Sequence, residues 1–289
     1  MQLTRYGSVD DFVAEAERYQ VAREAEHNLL LGICSAIRAD AEALWERPYF
    51  VIVTDDSGGI AAAALRTPPW DLVLSQIDDL AAIEPLVEDS TLHDAHIRGV
   101  TGPKIAADAF ARRWSQWTGR GVHLELEERI MRLSRVVPPT PIPGSWRLAE
   151  DRDRALLGQW WSAFADEAVP EAPRWADLAA VVDRLIRRVD RTIYLWEVAG
   201  RVVSMAGAGG KTPNGIRIGP VYTPPELRRR GYASALTAAV SQDQLDAGRR
   251  FCFLFTNLAN ATSNRIYQAI GYEPVAAVDQ YAFEAGPPL

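Results

Sequence analysis

VYTPPELRRRGYASAL, residues 221–236, sets three consecutive arginines in front of a glycine, within a chain of 289 residues whose formal charge is −7. The residues before it, GIRIGPVY (215–222), have the composition of a strand, and the pattern after it, through Leu236, Val240 and Leu245 to Gly248, is that of a helix. The stretch therefore reads as a strand that runs through a short loop into the first turn of a helix. In that turn the backbone N–H groups lack intrahelical partners and converge, and the helix dipole adds partial positive charge, so the position suits an anion. Gly231 lets the backbone approach phosphate oxygens, and Ala233 keeps the next turn small. A charge-assisted hydrogen bond there is worth roughly 1.5–3 kcal/mol, against about 0.3–1 kcal/mol for the dipole, so the N–H contacts decide the affinity and the arginines supplement them. An arginine-rich helix start is also commonly plain solvated surface. Arginine opposes the dipole at this end, which favours the anion.

Outward from this loop the carboxyl-terminal half keeps a regular order. Leu156, Leu157, Trp160, Trp161 and Phe164 share one helix face, and RWADLAAVVDRLIRRV (174–189) predicts a second helix, with the segment from Pro170 to Pro173 as the break. TIYLWEV and RVVSMAGA are strands joined at Ala199-Gly200, and RFCFLFT is a short apolar run suited to a buried strand. Asn260 to Ile270 reads as a helix stopped by Gly271, and YEPVAAV and QYAFEA as strands. The amino-terminal half gives nearly the same order. A capping box at Ser8 and Asp11 starts one helix, and Leu29, Leu30, Ile33, Cys34, Ile37 and Leu44 make a second. YFVIVTD, GIAAAALR and DLVLSQID are strands, DDLAAIEPLVED a helix interrupted or kinked at Pro85, HIRGVT a strand, KIAADAFARRWSQWTG a helix, and VHLELEERIMRLSRV a terminal strand or strand pair. This is a repeat of topology with little residue identity. Four prolines in VVPPTPIPGSW, residues 136–146, favour an extended connection between the halves.

Composition narrows the partners. With 48% hydrophobic and 24% charged residues the chain reads as soluble and globular, and its length predicts two domains. The acidic balance argues against a nucleic-acid partner, since that attraction comes from cations neutralising phosphates. Cys34 and Cys252 lie far apart in apolar runs, as reduced buried residues of a cytoplasmic protein, and a metal site is not expected for the same reason. MQLTRYGSVDDF turns acidic before any apolar run develops and no stretch is long enough to span a bilayer, so no membrane partner is expected. His93 and His96, without nearby cysteines or clustered carboxylates, read as loop histidines rather than a metal pair. GAGGKT (207–212) carries the Gly-Lys-Thr of a nucleotide P-loop, but the first glycine of that motif would fall at Met205 and a turn comes where the helix should begin. It reads instead as the end of a strand and a hairpin loop.

VYTPPELRRRGYASAL resembles the signature of the GNAT superfamily of acyl-CoA-dependent N-acyltransferases, Gln/Arg-x-x-Gly-x-Gly/Ala after a strand, with Arg228, Gly231 and Ala233 in its fixed positions. NATSNRIYQAIGYEPV resembles the second signature, with Asn260, Tyr267 seven residues on, and Gly271-Tyr272. Together with the preceding strands they cover most of residues 145–285. The resemblance implies an α/β (α+β) chain of two tandem GNAT-like domains, each a mixed, mostly antiparallel sheet flanked by helices. Residues 1–136 would be a degenerate domain, 137–144 the linker, and 145–289 the catalytic domain. It also implies acetyl-CoA as acyl donor, with Val221, Tyr222 and Thr223 beside its pantetheine arm. The backbone of Arg229, Arg230, Gly231, Tyr232, Ala233 and Ser234 would hold its diphosphate. Asn260 would contact the same ligand, with Asn264 a weaker candidate one turn on. Tyr267 would protonate, or hydrogen-bond to, the departing thiolate; a phenol near pKa 10 remains a donor at neutral pH, and passing its proton to a thiolate near 8.5 costs only about 2 kcal/mol.

The acceptor would be a primary amine of a small molecule or peptide, attacking the thioester while a backbone N–H near Val221 or Tyr222 stabilises the oxyanion. Its base is not evident. GIRIGPVY carries no carboxylate, and Asp166, Glu167, Glu171 and Glu197 are each more often solvated; ordered water serves equally. Trp160, Trp161 and Trp175 would floor an acceptor pocket or, as most tryptophans at helical spacing do, fill core. In the amino-terminal half LVLSQIDDLAAIEP has no glycine, no arginine and several carboxylates, so it would repel a diphosphate and act as a structural partner. The chain is then a monomer that forms its own pseudo-dimer, or a homodimer. A non-catalytic acyl-CoA-binding or sensing module, and a scaffold without any nucleotide, are the competing classes.

Overall fold

A computed structural model describes residues 1–39, 48–93, 97–168 and 177–284, the side chains of 90–93 excepted. Two compact units share the chain. The first takes Met1–Ile130, Asn257–Ala259 and Val275–Leu289, and the second Met131–Thr256 and Asn260–Pro274. The first unit contains β1 (Gln2–Tyr6), α1 (Val9–Ala22), α2 (Asn28–Ala39), β2 (Tyr49–Thr54), β3 (Ile60–Arg66), β4 (Leu72–Leu74), α3 (Ile83–His93), β5 (Gly99–Pro103), α4 (Lys104–Thr118) and most of β6 (Val122–Leu133). The second contains β7 (Ser145–Leu148), α5 (Arg154–Ala168), α6 (Leu178–Arg187), β8 (Arg191–Val198), β9 (Arg201–Lys211), β10 (Gly215–Tyr222), α7 (Tyr232–Asp246), β11 (Phe251–Asn257) and α8 (Ala261–Ala269). The last strand, β12 (Glu273–Phe283), pairs antiparallel with β5 through Val278–Ala282.

The terminal strand therefore differs from the contiguous division at 136 and 145, because most of it clusters with the amino-terminal residues. The proline-rich segment 137–144 belongs to the second unit. Its Ile142 packs on the core there, and Trp196 Nε1 donates to the Pro143 carbonyl at 3.1 Å.

Each unit contains a parallel strand pair among mostly antiparallel neighbours. The first unit runs β1-β2-β3-β4-β5-β12-β6, with β4 and β5 parallel at Leu72/Val100 and Val73/Thr101. The second runs β11-β10-β9-β8-β7, with β10 and β11 parallel from Gly215/Phe251 to Arg217/Phe253. Helices cover both faces, and the strands show it residue by residue. On β2, Val51 and Val53 face the core made with α3 and α4, while Phe50 and Ile52 face that made with α1 and α2. On β8, Tyr194 and Trp196 join the α7 core, and Ile193 and Leu195 the α5/α6 core.

Local chemistry accounts for the ends of these elements. Ser8 caps α1, its Oγ accepting from Asp11 N at 3.1 Å. The residues 78–89 predicted as one interrupted helix form a short 3-10 turn, Leu80–Ala82, followed by α3 with Pro85 in its first turn, where a missing N–H costs nothing. Ala199 and Gly200 both have positive φ, as a two-residue hairpin requires. GAGGKT lies on β9 apart from Thr212, which turns the chain back by accepting from Gly215 N at 2.9 Å. Both cysteines are buried and free, and burial pushes each thiol up to about 12.

Gly271 has φ +105°, and a Cβ there would stand 2.7 Å from the Arg135 carbonyl oxygen. Gly271→Ala is expected to lower unfolding stability by about 2 kcal/mol or more, read from urea denaturation at constant slope.

Candidate active site

The parallel pair β10/β11 ends early. Past Arg217 and Phe253 no further parallel pair forms among the described residues, although β10 continues to Tyr222 and β11 to Asn257. Over the same residues β10 slips against β9: Ile218 faces Ala208 but Val221 faces Ala206, so Gly219 and Pro220 add one residue to the strand. The bulge reverses the alternation. Before it Ile216 and Ile218 pack on the α7 core, and after it Tyr222 packs on the α5/α6 core, against Trp160 with ring centroids 5.9 Å apart. Val221 packs instead against the α7 core, which Tyr232 and Tyr267 also join.

Beyond β10 a single 3-10 turn, Pro225–Leu227, leads into the arginine loop. Arg228 is extended, Arg229 has φ +63°, and Gly231, at φ +84°, is the residue before α7 with no side chain capping the helix. The N–H groups of Arg229 to Ser234 make no hydrogen bond to another described residue, the first helical one being Ala235 N to the Gly231 carbonyl at 2.9 Å. Six consecutive donors thus lie at the positive end of a fifteen-residue helix. The side chains of the three arginines do different things. Arg228 turns back to hold the loop, its Nε donating to the Thr223 carbonyl at 2.9 Å, its Nη2 to Glu167 at 2.5 Å, and its guanidinium lying over the Tyr222 ring. Arg230 Nη2 reaches the Glu226 carbonyl at 3.4 Å.

Across the same core, Asn260 caps α8, its Oδ1 accepting from Ser263 N at 3.0 Å, and Asn264 lies in the first turn of that helix. Tyr267, partly buried, stands edge-on to Tyr272 at 6.1 Å, and burial pushes its hydroxyl up to about 12 despite a hydrogen bond with Ser263. The structure thus brings the strand end 221–223, the loop 228–234 and the helix bearing Asn260 and Tyr267 into one unit.

Residues 197–281 match the family model described as FR47-like protein. No curated protein matches the chain. Among solved structures, a Drosophila protein is 15% identical over 98% of each chain with a TM-score of 0.72. A tandem GNAT protein from the clavulanic acid biosynthesis pathway is 15% identical over 99% of each chain, with a TM-score of 0.60. A GCN5-related N-acetyltransferase from Sphaerobacter thermophilus is 16% identical, covering 99% of this chain and 98% of its own, with a TM-score of 0.58. The chain is a tandem GNAT-fold protein.

The first GNAT unit has the same parting of strands after Val73 and Thr101, but its own side chains occupy the freed backbone. Gln76 N donates to His27 Nε2 at 2.9 Å, and the Gln76 carbonyl accepts from the Tyr19 hydroxyl at 2.6 Å. Arg23 forms a two-point pair with Asp78 at 2.9 and 2.7 Å. Asp79 caps the following turn, accepting from Ala81 N at 3.0 Å. Asp79, one of the carboxylates noted in LVLSQIDDLAAIEP, thus caps the turn that follows β4. Because His27 Nε2 accepts, its proton is on Nδ1, which donates to the Gln20 carbonyl at 2.9 Å.

Two carboxylates that the sequence offered as a base serve other ends. Glu167 is paired with Arg228, and Glu197 with Arg147 at 2.8 Å, beside the two-point pair of Arg147 with Asp153. Glu171, Trp175 and His96 lie outside the described residues. Trp160 is 5% exposed and belongs to the core it shares with Tyr222.

Burial holds His27 below its ordinary value of 6.5, so on lowering the pH the unfolded chain takes up a proton before the native state does. Its contribution to stability is complete above about pH 6.5 and declines as pH falls below it, by at most about 1.4 kcal/mol per pH unit. The difference in melting temperature between wild type and His27→Gln is expected to shrink from pH 7.5 to pH 5, and a constant difference would contradict the lowered pKa of His27.

Proposed function

We propose that the second GNAT unit is an acetyl-CoA-dependent N-acetyltransferase that moves an acetyl group directly to a primary amine, and that the first unit binds no acyl-CoA. The observation that carries the reading is the row of unpartnered N–H groups at 229–234, beside a strand end that has lost its parallel neighbour. Such a row fits a diphosphate, and the lone glycine in it has its Cα exposed to approach. A thioester supplies an activated acyl carbon, and the chain does the rest by holding and polarising. Val221 and Tyr222, just past the bulge, offer the main chain nearest to an oxyanion; Thr223 is held by Ser204, whose Oγ lies 2.8 Å from its hydroxyl.

Tyr267 serves as hydrogen-bond donor to the leaving sulfur. With its hydroxyl raised to about 12, handing its proton fully to a thiolate near 8.5 costs roughly 5 kcal/mol, more than an unperturbed phenol would need. The amine's nitrogen bonds to the acyl carbon as the carbon–sulfur bond breaks, the amine proton leaves to water, and the sulfur keeps the electron pair under Tyr267's hydrogen bond. No covalent enzyme intermediate is required; Cys252, the cysteine of this unit, is buried and its thiol is raised to about 12. We place the reaction in the cytoplasm, with neither nucleic acid nor membrane as partner; among the described residues no helix is long and apolar enough to cross a membrane.

Titration calorimetry is expected to find one acetyl-CoA site per chain, and saturating ligand should stabilise the fold by about 2.7 kcal/mol at a hundredfold excess over Kd. Tyr267→Phe should lower kcat by about a hundredfold while CoA affinity stays within about twofold. Binding without thiol release in any amine screen would favour a sensing module, and absence of a thermal upshift would remove the donor assignment altogether.

A further inference from the structure

The glycines of GAGGKT have a use that the nucleotide motifs do not supply. Arg191 stands opposite Gly209 in the antiparallel pair of β8 and β9, and its side chain crosses β9 over Gly207 to donate through Nη1 to the Gly219 carbonyl. A Cβ at Gly209 would lie 3.0 Å from Arg191 Cβ, and one at Gly207 would lie 3.1 Å from Arg191 Cδ and 2.6 Å from the Gly219 oxygen. The glycines form a trench along the sheet, and a guanidinium lies in it.

Three observations give that guanidinium a purpose. It touches the residue that begins the bulge, two positions before Val221, a span of about 6–7 Å along a strand. Alternation puts it on the α5/α6 face, with Ile193 and Leu195, whereas α7 and its anion loop approach from the other. Its Nε and Nη2 make no hydrogen bond to another described residue, Nη1 alone being engaged, by the Gly219 carbonyl. Burial lowers its pKa, and the neighbouring charge of Asp190 offsets that only in part.

We propose that Arg191 receives an anionic group of the acceptor, so that the amine acetylated by this protein carries a carboxylate, as an amino acid does. The proposal rests on the acetyltransferase reading of the second unit. A donor held from the α7 face leaves the opposite face for the amine, and there Arg191 presents its Nε/Nη2 edge, the fork that binds a carboxylate at two points. The Gly219 carbonyl fixes the fork by taking Nη1. A carboxylate resting on it keeps the amine of a small amino acid within reach of a thioester beside Val221.

The test uses matched acceptors, the common amino acids and their carboxamides, with thiol release from acetyl-CoA as readout. Wild type is expected to favour at least one acid over its amide by tenfold or more in kcat/KM, about what one charge-assisted bidentate contact supplies. Arg191→Gln should bring that ratio to within about twofold, and Arg191→Lys should keep part of it. A ratio near one in wild type overturns the proposal. So does an equal loss on acid and amide in Arg191→Gln, which would mean that Arg191 only shapes the bulge. Thermal shifts with the N-acetylated acids and N-acetylated amides, with and without CoA, ask the same question without turnover: an acid-selective upshift that Arg191→Gln abolishes supports it, and equal or absent shifts refute it. Failure of acetyl-CoA itself to raise the melting temperature would instead refute the acetyltransferase reading.

Discussion

Two parallel strands that part leave main-chain amides and carbonyls without a ladder, and buried groups of that kind have to find partners elsewhere. Both units of this chain face that constraint, after Val73 in one and after Arg217 in the other. They meet it differently. In the first, Tyr19 and His27 bond to Gln76, and Asp79 caps the next turn, so that the fold completes itself. In the second, the six N–H groups of residues 229–234 have no acceptor among the described residues. The same architecture thereby yields a self-contained unit and a receptive one, and the difference lies in a handful of side chains rather than in topology.

The bulge at Gly219 and Pro220 redirects the strand end. One additional residue turns Tyr222 from the α7 face to the α5/α6 face, under Trp160, and delivers Val221 to the core that also holds Tyr267. Arg228 then ties the strand end to its loop through the Thr223 carbonyl and Glu167. Exposed pairs of this type contribute little to global stability, commonly below about 1 kcal/mol. Their value here is positional: Arg228 holds the loop with its side chain while leaving the backbone donors of its successors untouched.

The sequence disclosed the helices and long strands because each carries a period that burial on two faces reinforces, as in the alternating cores of β2 and β8. It disclosed the loop between β10 and α7 because Gly231 and the helix after it are local features. β1 and β7 escaped notice: QLTRY and SWRL are short edge strands, largely exposed, whose pairing is decided by β2 and β8 rather than by their own composition. The attachment of β12 to β5 is a long-range choice that no local pattern states. For the same reason the task of Arg228, the capping by Asp79 and the glycine trench under Arg191 became visible only with register. The glycines of GAGGKT matter for the side chain that crosses them in space and not for their neighbours along the chain.

The arginine loop differs energetically from its counterpart in the first unit. Arg229 occupies the left-handed region, a conformation that costs a non-glycine residue of order 1 kcal/mol or more. Arg229 and Arg230 form no ion pair with a described residue and stand at the helix end where cations are disfavoured. The six N–H groups beside them have no acceptor within the fold. The first two are unfavourable in the free protein, the open N–H groups are accessible to water, and a single multivalent anion would engage the charge and the donors together. The corresponding turn of the first unit carries none of them, because Asp79 supplies both the charge and the acceptor. A positive-φ arginine, cations without an ion pair and donors without an acceptor thus coincide at one loop of the second unit, and it is on this coincidence that the proposed diphosphate site rests.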